Sequence, residues 1–396
     1  MKILSVNAGS SSLKFKMFEM PEEKVIISGR FERIKDPKNS FYSIETLDEK
    51  YKKNVELNNH SDAVEILINE LFENKVISSL DELTAVSHRL VHGGDKYPTS
   101  VILDEDSLKV VDSFTDLAPL HVPANVMCVR EFMKKAPNAY QVGCFDTAFH
   151  QTIDEERFIY PVPFEWYEKY KVRKYGFHGQ SHKYITETIG NMLNKKDVNA
   201  IICHIGQGAS ISAISNGKCI DTSMGFTPNS GVVMGTRSGD IDYGIIKYMM
   251  KTAGMSFDEV DDALNKKSGL LGLSKVSNDW RDVDEAITKG DKQAYLAHKV
   301  LVNSIVDYVA RYYVELKGQV DALVFTAGLG ENASHIRRMV IDRLNCLGFE
   351  CDRELNDEIR LGKEGKISTS NSKIPVYVIG TNEELMMARD AVNLIK

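Results

Sequence analysis

The sequence predicts an α/β fold with a duplicated core, and two observations lead to this class. The first is a strand-turn-strand pattern that occurs twice, once in residues 2–18 and again in residues 200–214. Each copy joins an apolar strand to a second strand across a turn of small residues, and the later copy is followed by an Asn216-Gly217 turn typical of hairpins. The second observation is that helical patterns lie between the strands, as they do in α/β proteins.

The other elements follow in order along the chain. A strand at residues 140–145 precedes Asp146, and a strand at 321–326 runs into a turn of small residues at 327–332. Apolar side chains recur with helical spacing in residues 63–72, 181–193, 294–316, 334–347 and 384–395. This interleaving of strands and helices indicates α/β architecture in both halves.

Length and composition predict two globular domains. The chain has 396 residues, of which 43% are hydrophobic and 27% charged, as in an ordinary globular protein. At roughly 100–200 residues per domain, this length predicts two domains. No low-complexity linker separates them, so we place the boundary after the strand at 140–145. The first predicted domain comprises residues 1–147 plus 384–396, and the second comprises residues 148–383.

Charge and apolar runs exclude several classes of partner. The 49 Lys and Arg residues against 56 Asp and Glu leave a net charge of −7, so we expect no nucleic-acid partner. No apolar run approaches the roughly 18–20 residues that a membrane span needs, and no signal peptide is evident. We therefore expect a cytoplasmic protein without a membrane partner. Six cysteines without a CxxC pair predict free thiols.

Three turns of small residues follow strands and are candidate phosphate-binding loops. Glycine lets the backbone approach a ligand closely and leaves amide groups free to bind phosphate oxygens. The turns lie at residues 7–12, 206–210 and 327–332, and any one of them alone can equally be a tight hairpin turn. None matches the P-loop, and residues 206–211 lack the last glycine of the dinucleotide fingerprint. P-loop kinases and Rossmann dehydrogenases are both disfavoured.

Histidines and two arginines mark a candidate site. Seven of the ten histidines lie between residues 88 and 204, and Arg89 and Asp146 occur among them. A single histidine can simply be a buried, hydrogen-bonded side chain, but a cluster with charged neighbours favours a site. Arg237 stands among glycines, where a guanidinium can hold an anion at two points, although a surface arginine fits the same pattern.

Two pairs of histidines allow a rival hypothesis, a metallohydrolase. His88 and His92, like His178 and His182, are four residues apart and would share one face if each pair lay on a helix, as in HExxH enzymes. Against this hypothesis, neither pair has the intervening glutamate, and glycines interrupt a helix at both places.

Six segments taken together resemble the acetate kinase family, in order and over nearly the whole chain. They are NAGSSSLK (7–14), HRLVHGG (88–94), FDTAFH (145–150), YGFHG (175–179), MGTRSGD (234–240) and TNEEL (381–385). The resemblance implies the superfamily of acetate and sugar kinases, heat-shock chaperones and actin. That superfamily has duplicated ribonuclease H-like (actin-like ATPase) domains with a nucleotide cleft between them, and the repeated strand-turn-strand pattern is what such a fold requires.

The resemblance also implies a reaction and its cofactors. Phosphoryl would pass reversibly and in line from ATP to acetate, giving ADP and acetyl phosphate, with Mg2+ or Mn2+ as the metal. It further implies a homodimer. A carboxylate is already a nucleophile at neutral pH, so the residues of such an enzyme need only position the reacting groups and stabilise charge.

The family's functional positions carry over to residues of this chain. The implied catalytic residues are Asp146, His178, Arg237, Arg89 and His121. The implied acetate-binding residues are Arg89 and the apolar Val91, Leu120, Phe177 and Pro228. The implied nucleotide-binding residues are Ser10, Ser12, Lys14, His204, Ile205, Gly206, Gln207, Gly208, Asp279, Trp280, Arg281, Ala327, Gly328, Leu329, Gly330 and Glu331. The implied metal ligands are Asn7 and Glu383.

Individual roles follow from the same resemblance. Arg89 and Arg237 would hold the acetate carboxylate and the transferring phosphoryl group. His178 would donate to the oxygens of that group, with His121 in support. Asn7 and Glu383 offer oxygen ligands that suit Mg2+. If both reach one metal, the C-terminal helix must fold onto the first domain.

The chain departs from the family pattern at a few positions, which bear on nucleotide affinity and acyl preference. The departures are Gln207 for asparagine, Asn229-Ser230 for Leu-Glu, Tyr243 for proline and Ala327 for glycine. A propionate or other short-chain acyl kinase is therefore an alternative. Outside catalysis, the fold can serve as a nucleotide-gated binding module. The arginine and histidine set argues against that module, because nucleotide binding alone needs no second anion site.

Overall fold

The computed structural model describes residues 1–119 and 121–396 and divides the chain into two compact units. Unit 1 comprises Met1–Gln151 and Asn382–Lys396, and unit 2 comprises Thr152–Thr381. The predicted boundaries, 147/148 and 383/384, lie a few residues from these junctions, so Glu383 belongs to unit 1 and not to the second domain. Within the described residues, no helix has the length and apolar character of a membrane span.

Unit 1 is built on one eight-stranded sheet. Its strands are β1 (Lys2–Ala8), β2 (Ser12–Glu19), β3 (Lys24–Glu32), β4 (Phe41–Thr46), β5 (Lys50–Asn54), β6 (Leu83–Leu90), β7 (Val101–Ile102) and β8 (Tyr140–Phe145). They lie in the order β5-β4-β3-β2-β1-β6-β8-β7. The helices before α4 are α1 (His60–Glu73), α2 (Glu105–Asp112) and α3 (Val122–Lys135).

The core of unit 1 follows from alternation along β2. Leu13, Phe15 and Met17 are fully buried in one cluster with Val64 and Leu67, which lie on the apolar face of α1. Burying each such side chain contributes about 1.5–3 kcal/mol. Residues between them point to the other face of the sheet.

Unit 2 is built on a six-stranded sheet. Its strands are β9 (Ala200–Ile205), β10 (Ala209–Ser215), β11 (Lys218–Thr222), β12 (Ala322–Thr326), β13 (Gly365–Lys366) and β14 (Val376–Val378). They lie in the order β11-β10-β9-β12-β14-β13. The helices are α4 (Glu155–Phe158), α5 (Glu165–Tyr170), α6 (Gly179–Met192), α7 (Gly244–Thr252), α8 (Phe257–Lys266), α9 (Gly269–Ser274), α10 (Trp280–Thr288), α11 (Lys292–Glu315), α12 (Ala327–Asn332), α13 (Ser334–Arg343) and α14 (Arg353–Glu358).

The two sheets repeat one topology. In unit 1, β1, β2 and β3 form an antiparallel meander, and β6 and then β8 add in parallel on the other side of β1. In unit 2, β9, β10 and β11 form the meander, and β12 and β14 add in parallel beside β9. The predicted α/β fold with a duplicated core is therefore confirmed.

Two local predictions differ from the structure around residue 330. The predicted turn at 327–332 is wrong, because these residues form helix α12. The Glu331 carboxylate accepts the Ala327 N–H at 2.8 Å, and the Asn332 side chain donates to the Gly328 carbonyl at 2.8 Å. Side chains thus satisfy backbone groups that a short helix leaves open. The helix predicted at 334–347 ends earlier, at Arg343.

The last helix, α15 (Glu383–Ile395), returns to unit 1. Ser5 in β1 donates its hydroxyl to the Glu384 carbonyl at 2.8 Å, and Lys16 in β2 lies 3.2 Å from the Glu384 carboxylate. Arg389 makes a bidentate ion pair with Glu23, at 2.6 and 2.9 Å. The first two contacts fix the start of α15 against β1 and β2, and the ion pair holds its middle to the segment after β2.

Candidate functional site

In unit 1, charged side chains meet where the parallel strands β1, β6 and β8 end. Arg89, near the end of β6, donates Nε and Nη2 to the two carboxylate oxygens of Asp146 at 2.8 and 2.7 Å. Its Nη1 lies 3.4 Å from Asn7 Oδ1. Asp146 is buried directly after β8, whereas Arg89 is partly exposed. The bidentate pair holds the guanidinium in one orientation and leaves part of it accessible.

Nearby carboxylates keep the guanidinium of Arg89 protonated. Burial alone would lower the pKa of its guanidinium, but the nearby carboxylates of Asp146 and Glu383 raise it. Arg89 therefore remains a cation at every pH of interest.

Glu383, the first residue of α15, adds a carboxylate to the same region. Burial raises its pKa to about 7; Arg89 opposes this shift, and Asp146 and Glu384 add to it. A divalent cation would relieve this excess of negative charge. The Asn7 amide and the Glu383 carboxylate supply the oxygen ligands that a hard cation prefers. The residues present therefore fit such an ion.

The first turn of small residues closes the β1–β2 hairpin. Gly9 N–H donates to the Ser12 carbonyl at 2.8 Å, and Lys14 pairs in register with Asn7. Ser10 and Lys14 are exposed, and Lys14 lines a cavity of about 340 Å³. Lys14 thus lies on β2 opposite Asn7 of β1, and its exposed side chain is accessible to a ligand.

In unit 2, imidazoles and hydroxyls form a buried network at the start of α6. His178 Nδ1 and His182 Nε2 lie 3.0 and 2.7 Å from the same oxygen, Ser210 Oγ. His204 stacks on His178 with ring centroids 4.2 Å apart, and its Nδ1 lies 2.7 Å from Ser181 Oγ. The network locks the start of α6 to β9 and β10.

Gly208 lies where His178 and Arg237 converge. A Cβ at this position would lie 3.0 Å from Arg237 Nη2 and 3.2 Å from His178 Nε2. Arg237 donates Nη1 to the Pro228 carbonyl at 2.6 Å, which orients the guanidinium. A cation and an imidazole are thus directed at the backbone of a glycine turn, an arrangement that suits phosphate oxygens.

A cavity of about 500 Å³ adjoins this turn in unit 2, within the size range of small-molecule sites. Seven predicted nucleotide-binding residues line it: Gly206, Gln207, Asp279, Trp280, Arg281, Gly328 and Leu329. Sequence reasoning missed other lining residues, namely Leu270, Asn278, Arg360 and Leu361. Asn278 could have been predicted, because it directly precedes the predicted Asp279. The other three residues lie in separate segments, where no motif in the sequence marks them. The remaining predicted residues of unit 2 are not among the lining residues and lie in β9, in the turn after it and in α12: His204, Ile205, Gly208, Ala327, Gly330 and Glu331.

The residues predicted to bind acetate belong to both units, and each is described within its own unit. Val91 is buried in unit 1, where its N–H donates to the Asn125 side chain at 3.2 Å. Phe177 is buried and Pro228 half-buried in unit 2. Leu120 lies outside the described residues. His121 is half-buried and directly precedes α3 in unit 1.

Neither histidine pair lies within one helix, which argues against the rival hypothesis of a metallohydrolase. His88 lies on β6, its Nε2 is 2.8 Å from Gln141 Oε1, and burial lowers its pKa to about 4. His92 follows in the loop. His178 precedes α6 with a left-handed φ of 59°, and only His182 lies within the helix. Neither pair therefore lies within one helix.

The departures from the family pattern are accommodated locally. Gln207 donates to the Asn278 carbonyl at 3.1 Å, across one wall of the cavity. Ser230 donates to Asp240 at 2.8 Å, and Tyr243 is 86% exposed. Ala327 has a left-handed φ of 66°, which explains why glycine suits this position.

Comparison with known proteins agrees with this geometry. The acetokinase family model matches residues 2–389. The chain is 49% identical to the acetate kinase of Phytoplasma australiense over 396 residues, which are 100% of this chain and 99% of that protein. A crystal structure of Porphyromonas gingivalis acetate kinase has a TM-score of 0.94 at 41% identity, covering 100% of both chains. A crystal structure of a propionate kinase from Francisella tularensis subsp. tularensis has a TM-score of 0.94 at 41% identity, covering 99% of both chains. The chain therefore belongs to the acetokinase family.

Proposed function

We propose that this protein catalyses reversible phosphoryl transfer between ATP and acetate, giving ADP and acetyl phosphate, in the cytoplasm. The observation that carries the proposal is the convergence of Arg237 and His178 over Gly208, next to the 500 Å³ cavity. Two anion-binding groups aimed at a glycine turn suit a transferring phosphoryl group. Membership of the family implies ATP as co-substrate and a divalent metal.

Unit 1 would hold the metal and the carboxylate substrate. Asn7 and Glu383 would hold Mg2+, or Mn2+ in its place, and this ion would supply positive charge to phosphate oxygens. The guanidinium of Arg89 would hold the acetate carboxylate. Asp146 would act as a positioning residue, because its two oxygens already bind Nε and Nη2 of Arg89. Acetate needs no general base, since it is already ionised at neutral pH.

Unit 2 would hold the nucleotide and stabilise the transfer. Trp280, Gly328 and Leu329 line space for the adenosine, and the Gly206–Gly208 turn would receive phosphate oxygens. Arg237 and His178 would donate to oxygens whose charge is redistributed as the phosphoryl group moves.

A hydroxamate assay tests the proposal directly. The purified protein is supplied with ATP, Mg2+ and hydroxylamine, and with acetate, propionate, butyrate or no acid. We expect most acyl hydroxamate from acetate and none without an acid. A preference for propionate would favour the second candidate, a propionate kinase, which the similarity to the Francisella protein supports. ATP hydrolysis without acyl transfer would contradict both kinase assignments.

The metal role of Glu383 predicts a change in Mg2+ requirement. Glu383→Gln removes an anionic oxygen, so the Mg2+ concentration for half-maximal activity is expected to rise about 10- to 100-fold. The KM for acetate should change less. Glu384→Gln is the matched control, since its carboxylate pairs with Lys16. Equal metal dependence in both variants would assign Glu383 to packing of α15 instead.

The apolar residues that the family resemblance assigns to acetate binding predict acid selectivity. One methylene in an apolar pocket changes binding of the transition state by only about 1–3 kcal/mol, so propionate should react with a kcat/KM roughly 10 to 200 times lower than acetate. Val91→Ala makes room for the extra carbon and should narrow that gap, mainly through a lower KM for propionate. Kinetics with both acids on both proteins measure this ratio. A ratio unmoved by the substitution would place the acyl chain elsewhere.

We also propose that the protein is a homodimer. Ile245 and Tyr248, three residues apart on α7, are 44% and 64% exposed, and an apolar helix face of this kind favours a protein contact. Light scattering is expected to give twice the 44.5 kDa chain mass.

A further inference from the structure

Three helices of unit 2 bring together two histidines and a carboxylate that have been assigned no role above. Asp284 lies on α10, His298 on α11 and His335 on α13. One ligand atom from each lies within 4.8 Å of the other two. No other group of three or more such side chains in residues 1–119 and 121–396 is as close.

The distances match the edges of a metal coordination shell. His335 Nε2 lies 3.0 Å and His298 Nε2 3.4 Å from Asp284 Oδ1. With metal–ligand bonds of about 2.0–2.2 Å, neighbouring ligands of a tetrahedral Zn2+ are about 3.4 Å apart. Two imidazoles on one such ion place their ring centroids about 5 Å apart. The centroids of His298 and His335 are 5.5 Å apart.

Both imidazoles of this cluster have an Nε2 atom that no hydrogen bond to the described part of the chain uses. Both Nε2 atoms are buried and close to Asp284, yet neither has a hydrogen bond of acceptable geometry to a described residue. His298 is only 2% exposed, so this arrangement removes a polar atom from water without a partner. Because neither Nε2 atom is hydrogen-bonded to the Asp284 oxygen beside it, both nitrogens are available to bind a metal ion.

We propose that Asp284, His298 and His335 bind one divalent transition-metal ion, such as Zn2+, with water completing the shell. Two imidazoles and one carboxylate select such ions over Mg2+, which prefers oxygen ligands. Side chains of Asp284 and His335 are 30% and 34% exposed, which leaves a path for the ion and its water.

The site adjoins the nucleotide cavity through Trp280. The indole ring lies 6.2 Å from the His335 ring and its residue lines the cavity. A bound ion would tie α10 to α11 and α13 and so fix one wall of the cavity. The fluorescence of Trp280 can report metal binding directly, because the chain has only one other tryptophan, Trp166.

Zinc titration of the full-length protein tests the proposal. Chelator-treated protein is titrated calorimetrically with Zn2+ in excess Mg2+, which occupies the oxygen-ligand site at Asn7 and Glu383. We expect one Zn2+ per chain, with affinity at least about 10-fold weaker in His335→Gln and Asp284→Asn. Asp282→Asn is the matched control, an exposed aspartate on the same helix. It should bind like the parent.

Cobalt provides a second readout that does not depend on heat. In a Trp166→Phe background, Co2+ should quench Trp280 fluorescence and show the visible bands of a four-coordinate ion, and His335→Gln should abolish both. Circular dichroism and Tm establish that each variant is folded. Absence of Zn2+ binding by the parent, or equal affinity and quenching in His335→Gln, would overturn the proposal. These readouts are independent of kinase activity, so the outcome is separate from that of the acetate kinase assignment.

Discussion

Arg237→Ala is expected to lower kcat by about 10² to 10⁴ while the Kd for ATP changes only a few fold. The Arg237 guanidinium is fixed by Pro228 and directed at the glycine turn beside His178. A cation held there interacts most strongly with charge that develops during transfer, so its removal affects the transition state more than the bound nucleotide. Steady-state kinetics with saturating acetate measure kcat, and calorimetry with ADP and ATP measures nucleotide affinity.

Two companion variants make this result specific. Arg237→Lys keeps the charge but loses the planar fork and should recover only part of kcat. Arg353→Ala, at the exposed start of α14, removes an arginine that has no role in the candidate site and should leave kcat unchanged. If Arg237→Ala retains full kcat, Arg237 orients the loop after Pro228 and does not contact the phosphoryl group.

Arg337→Met is expected to destabilise unit 2 by about 3–5 kcal/mol. Arg337 is fully buried and makes five hydrogen bonds. Two go to the carbonyls of Gly330 and Glu331 at the end of α12, and the others reach Asn356 and the Ile359 carbonyl. Methionine fills much of the volume but leaves these buried acceptors without donors, each at a cost of about 1–3 kcal/mol.

Thermal and urea unfolding measure this loss. Arg338→Met, at the next position of α13 and half-buried, is the matched control and should change stability by less than about 1 kcal/mol. Because Arg337 anchors the helix that contains Gly328 and Leu329, weaker ATP binding should accompany the lower Tm. Equal stability of the two variants would mean that water or rearranged side chains satisfy the carbonyls.

The strands and the family were predictable because their signals are local. Alternation in β2 and small residues at 7–12 define one hairpin, and residues 206–210 define the other. The Asn216-Gly217 turn has φ angles of 50° and 74°, as this dipeptide favours. The predicted membership of the acetokinase family is confirmed, since its motifs are short, specific and in order. Roles of individual site residues stay predictions.

Features that depend on distant segments were not predictable. Arg337 looks like one of three surface arginines in a polar helix, and nothing nearby in the sequence shows that Asn356 and Ile359 enclose it. Asp284, His298 and His335 have no regular spacing, because three separate helices bring them together. The short helix α12 depends on the Glu331 carboxylate folding back to the Ala327 N–H, whereas its glycines alone favour a turn.

The return of α15 to unit 1 has a consequence for synthesis on the ribosome. Asn7 and Arg89 are made early, whereas Glu383 leaves the ribosome only after all of unit 2 has been translated. The β1–β2 hairpin must therefore wait for the helix that pairs with Ser5 and Lys16. A nascent chain stopped before residue 382 would carry the Arg89–Asp146 pair without the Glu383 carboxylate. Such truncated chains would thus lack one proposed metal ligand, whether or not they fold.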